Sequence, residues 1–116
     1  MWCEHEEGAG PARGRLTVEG PEADHPVMTT LERAEAAEHA VVERFAGGIE
    51  PGATVAVGAG SRGLTGRVEM LAGAIRGLRE IGADPFVVPA MGSHGGAVAE
   101  GQLEVLHDYG ITEESV

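Results

Sequence analysis

The chain predicts an α/β fold: a partial Rossmann-like parallel sheet with flanking helices, in the order helix, strand, helix, strand, helix after a flexible N-terminal tail. Three observations lead there. Two short apolar runs, Ala53-Thr-Val-Ala-Val57 and Phe86-Val-Val88, have the continuous hydrophobic character of strands in a parallel sheet. Each runs straight into a glycine-rich stretch, Gly58-Ala-Gly-Ser-Arg-Gly63 and Gly92-Ser-His-Gly-Gly96. Around them apolar residues recur at steps of three and four, the period of a helix.

Residues 1–26 hold Gly8, Gly10, Pro11, Gly14, Gly20, Pro21 and Pro26 among many acids, a pattern that opposes regular structure. They are expected to be a flexible acidic tail in which only Arg15-Leu-Thr-Val-Glu19 reads as a short strand. Residues 27–116 form the α/β unit. Thr29 and Glu32 have capping-box spacing, and Leu31, Ala34, Val41, Val42 and Phe45 share one face of a helix that Gly47-Gly48 ends. Pro51-Gly52 turns the chain into the first strand. Thr65 is the expected cap of a second helix, whose apolar face is Val68, Leu71, Ala72, Ile75, Leu78 and Ile81. Pro85 and Pro89 bracket the second strand. A third helix from about Ala97 to Tyr109 presents Val98, Leu103 and Leu106, with Gly110-Ile111 as its stop. Two strands make little sheet to bury, so the unit is expected to be incomplete, a truncated chain or one finished by a missing C-terminal part or a homo-oligomer.

At 116 residues the chain has material for one modest core. A formal charge of −11 repels a phosphate backbone, which argues against nucleic acid. No apolar run reaches the ~18 residues of a membrane span, and the start of the chain has neither a basic nor an apolar stretch. The lone Cys3 cannot form an internal disulfide, and a cytoplasmic location is expected. All 8 basic residues are arginine. Chemistry that needs a lysine amine therefore lies outside this sequence.

Ligands of open α/β sheets bind beyond the carboxyl ends of the strands, where both glycine-rich loops fall. If the strands are neighbours, Arg62 and His94 face one crevice, a fixed cation beside a titratable acid or base. The bland alternatives are a surface arginine paired with an acid and a loop histidine bonded to backbone. Gly58-x-Gly60-x-x-Gly63 also has dinucleotide-binding spacing, but Pro89, Ala90 and Met91 stand where a ribose-binding acid belongs, and Asp84 lies at the wrong strand end. His5, His25 and His39 read as solvated, and His107 as a structural residue at a helix C-terminus. No histidines, cysteines or carboxylates have metal-ligand spacing, and Glu32, Glu35, Glu38 and Glu43 read as a solvated helix face.

Val55-Ala-Val-Gly-Ala-Gly-Ser-Arg-Gly63, Pro85-Phe-Val-Val-Pro-Ala-Met-Gly-Ser-His-Gly-Gly-Ala97, Ala99-Glu-Gly-Gln102 and Gly110-Ile-Thr-Glu-Glu114 together resemble the amino-terminal domain of the nickel-dependent lactate racemase family. The resemblance covers about residues 50–116. It implies a racemase or epimerase of small 2-hydroxyacids that uses a nickel pincer nucleotide. His94 matches a catalytic acid/base histidine, Gly60, Ser61 and Arg62 match the cofactor-contacting loop, and Arg62 lies by the substrate in the family's arrangement. Familiar members have Asp-x-Thr-Arg where this chain has Ala59-Gly-Ser-Arg62. The family's cofactor lysine, nickel-binding histidine and second catalytic histidine have no counterpart in this sequence, so the chain is expected to be an amino-terminal fragment that is inactive alone and does not hold the cofactor covalently. The alternative is a non-enzymatic α/β module that binds a nucleotide or small anion through its glycine-rich loops.

Overall fold

A computed structural model describes residues 28–116. The tail and its strand at Arg15–Glu19, together with Cys3, His5 and His25, lie outside the described residues. Those described form a mixed α/β unit: α1 (Thr30–Phe45), β1 (Thr54–Ala59), α2 (Arg67–Glu80), β2 (Asp84–Pro89), a 3₁₀ turn (His94–Ala97) and α3 (Ala99–Asp108). The predicted order holds. No helix among the described residues is long and apolar enough to cross a membrane.

α1 begins as its sequence requires. The Thr29 hydroxyl accepts the Glu32 N–H at 3.2 Å, and the Glu32 carboxylate accepts the Thr29 N–H at 2.7 Å, so the capping box is complete. α1 lies on α2, with Ala34 buried in the contact. A Cβ at Gly73 would collide with the Ala34 carbonyl oxygen, and one at Gly77 would come within 2.8 Å of the Glu38 carbonyl oxygen. Glycine at both positions is what lets the helices cross so closely. Glu38, read from sequence as solvated, instead meets Arg76 of α2, whose Nε and NH2 lie 2.9 Å from one of its carboxylate oxygens.

Thr65 does not cap α2. Gly66 holds that place at φ 78 with no side-chain cap, because the backbone must enter the left-handed region just before the helix and a β-branched residue resists it.

β1 and β2 pair in parallel, Thr54 opposite Asp84 through Ala59 opposite Pro89. Asp84 and Ala90 donate their N–H groups to the carbonyls of Ala53 and Ala59, each at 2.8 Å. The even-numbered residues of β2 therefore face β1, and Pro85, Val87 and Pro89 face away. Pro89 thus ends the strand as expected, whereas Pro85 lies inside it; both are tolerated because their missing N–H groups face the side that no described strand pairs with.

One face of the sheet carries Val55, Val57, Ala59, Pro85 and Val87 toward the helices. There Ala59, Met91, Leu106 and Ile111 form a buried cluster with Val68, Leu71, Val87 and Val105 packed around it, and Ile75 of α2 is 1% exposed. The other face, with Ala56 and Phe86, is not covered by any of the described elements, and Phe86 is 47% exposed.

α3 starts later than its periodicity predicts. Gly95, Gly96 and Ala97 all have positive φ, which no α-helix accommodates, so the loop holding His94 continues to Val98. At the other end, Gly110 donates to the His107 carbonyl at 2.8 Å and Ile111 to the Leu106 carbonyl at 2.9 Å, while Ile111 is buried. That is the glycine stop expected there.

Candidate functional site

Parallel pairing in register brings the carboxyl ends of β1 and β2 side by side, so the loops leaving Ala59 and Pro89 share one edge. Between them lies an open cleft of about 440 Å³. Gly60, Ser61 and Arg62 line it from the first loop, Ala90, Met91 and His94 from the second, and Arg67 from the start of α2. Arg62 and His94 thus face one crevice, as the sequence predicts.

His94 is fixed at both its backbone and its ring. Its loop is tied to α3 by Gln102, whose side-chain amide donates to the carbonyls of Gly92 at 2.8 Å and His94 at 3.2 Å. Gly95 packs against Gly101 with no room for a Cβ on either residue. The ring is held from the opposite loop, where Nδ1 is hydrogen-bonded to the Ser61 hydroxyl. His94 is therefore not the backbone-bonded loop histidine of the bland reading. A side-chain bond from one strand end to the next orients it.

The first loop has its own support. Arg67 donates from NH1 to the Gly60 carbonyl at 2.6 Å, and its guanidinium lies 4.2 Å above the centre of the Tyr109 ring. A cation in the first turn of a helix opposes the helix dipole, so this position is maintained by other contacts. That misfit is the sequence signal by which Arg67 could have been found; its motif residues drew attention to Arg62 alone. Gln102 was legible only as part of a motif, because nothing in one sequence indicates which carbonyls an amide reaches.

Arg62 is exposed, and its side chain makes no hydrogen bond or ion pair among the described residues. Its guanidinium is available to an anion entering the cleft, with five donors in a planar fork. The Gly60 carbonyl and the Ser61 hydroxyl are engaged within the chain. His39 pairs with Glu43 at 3.7 Å on the exposed face of α1, and His107 sits in the last turn of α3, both away from the cleft. Among the described residues, no three His, Cys, Asp or Glu side chains come together as a metal site.

The cleft can therefore bind a small anion at Arg62 and exchange a proton at His94. No protein-family model, curated protein or solved structure gives a significant match to this chain.

Proposed function

We propose that this chain supplies the acid/base histidine and the anion-binding arginine of a lactate racemase-like site acting on small 2-hydroxyacids. The observation that carries the reading is the convergence of His94 and Arg62 on one cleft at adjoining strand ends. Arg62 receives the substrate carboxylate or a cofactor phosphate. His94 removes the proton of the substrate hydroxyl and returns it after the carbon centre has been inverted.

The fit to a nickel pincer nucleotide is confined to its anionic part, which Arg62 suits. Among the described residues there is no donor set for the metal, and the sequence has no lysine for covalent attachment. The group, when bound, supplies the hydride acceptor of the reaction. This chain's share is anion contact and proton transfer, carried out in the cytoplasm together with a polypeptide, or further residues, bearing the lysine and the second histidine.

Calorimetry of the full chain with nicotinic acid mononucleotide and with lactate tests the site. Arg62→Ala is expected to lower affinity at least about tenfold, the size of one charge-assisted contact. Combined with a nickel-loaded chain that carries the cofactor lysine, the wild-type protein is expected to interconvert the two lactate enantiomers, and His94→Ala to abolish that activity. Racemisation that persists in His94→Ala overturns the reading. A second reading, a passive module for nucleotides or small anions, is favoured by an Arg62 side chain with no partner among the described residues, beside two glycine-rich loops. Anion binding unchanged in His94→Ala, with no racemisation in the combined system, selects it.

A further inference from the structure

We infer that Ser61 is a positioning residue of His94, which fixes the ring tautomer so that Nε2 is the proton-transferring atom. The inference rests on the reading of His94 as an acid/base group and changes what Ser61 is for. Ser61 belongs to the loop expected to contact a cofactor, yet its hydroxyl is spent on the Nδ1 of His94. The two residues come from different loops, 33 positions apart, and meet only because β1 and β2 are parallel neighbours in register.

A neutral imidazole carries one proton, and which nitrogen holds it is set by the bond the other nitrogen makes. With Nδ1 taken by Ser61, only Nε2 is free to serve the cleft. A base must offer a lone pair there, so the ring proton belongs on Nδ1 and the serine oxygen accepts it. When a substrate hydroxyl gives its proton to Nε2, the O–H bond breaks and an N–H bond forms. The ring becomes an imidazolium that still donates from Nδ1 to Ser61, while Arg62 keeps hold of the substrate carboxylate. Return of the proton from Nε2 restores the starting state. The serine accepts throughout and never has to turn. The backbone of His94, held by Gln102 and by the Gly95–Gly101 contact, keeps the ring in place as its charge changes.

The test is the ¹⁵N spectrum of the imidazole nitrogens in the labelled full chain, followed from pH 5 to pH 9, with Ser61→Ala and Ser61→Thr beside the wild type. In its neutral form, His94 of the wild type is expected to be mainly the Nδ1–H tautomer, opposite to the Nε2–H form that predominates for a free histidine. Ser61→Ala is expected to revert to Nε2–H, and Ser61→Thr, which keeps the hydroxyl, to restore Nδ1–H. His39, on the exposed face of α1, is an internal control that none of the variants moves. A wild-type His94 that is mainly Nε2–H, or a tautomer ratio unchanged by Ser61→Ala in a folded protein, overturns the inference. The readout needs neither ligand nor turnover, so it stands or falls separately from the racemase reading.

Discussion

Arg67 ties three segments together through one side chain: the start of α2, the loop after β1 and the end of α3. Its bond to the Gly60 carbonyl is partly buried, and its stacking on Tyr109 adds a cation–π term of about 0.5–1 kcal/mol. Arg67→Met should therefore lower unfolding free energy by about 1–2 kcal/mol, and Tyr109→Leu by about half as much, both read from urea midpoints. Arg67→Lys keeps the charge but loses the planar fork and most of the stacking, so its midpoint should lie near that of Arg67→Met. Arg62→Ala, at an exposed side chain with no partner among the described residues, should leave the midpoint unchanged within about 0.5 kcal/mol. The contrast separates an arginine that builds the cleft from one that serves it. Sequence alone pointed to Arg62 because it lies in a motif. It was silent on Arg67, whose role depends on an aromatic ring 42 residues further along the chain (109 − 67).

At the scale of elements, the contact of α1 with α2 depends on the missing Cβ atoms of Gly73 and Gly77. Either residue changed to alanine would gain helix propensity but drive a methyl group into the Ala34 or Glu38 backbone. Overpacking wins, because a carbonyl in a helix cannot move aside as a flexible side chain can. Gly73→Ala should cost about 1–3 kcal/mol, measured by thermal or urea unfolding, and Gly77→Ala somewhat less. The helices themselves were legible in the sequence, since period, capping box and glycine stop are local patterns. The capping of α2 was not, because a positive φ at Gly66 answers to where the chain must go next rather than to the residues beside it. Nor was the late start of α3, which follows from three successive left-handed residues, one of them Ala97. Pro89 was legible as the end of β2, but Pro85 was not legible as an interior residue, because tolerance there depends on which edge stays unpaired.

For the molecule as a whole, the two-stranded sheet has dissimilar margins. In β1 the N–H groups of Thr54, Ala56 and Gly58 point away from β2, whereas in β2 only Val87 offers a donor on the open side. Hydrogen exchange should show it as alternation. The amides of Val55, Val57, Phe86, Val88 and Ala90 should exchange slowly, and those of Thr54, Ala56, Gly58 and Val87 quickly. Slow exchange at Thr54, Ala56 and Gly58 would mean that another strand lies along β1. The cleft holding His94 and Arg62 lies where the carboxyl ends of the two strands meet the start of α2, so growth of the sheet at β1 leaves it intact. The prolines also limit self-association. Two copies that met along β1 would consume the one margin rich in donors, and a third would find a row with a single N–H among three positions. A margin that lacks two of its three donors is a poor template for further stacking, which disfavours growth into a fibre.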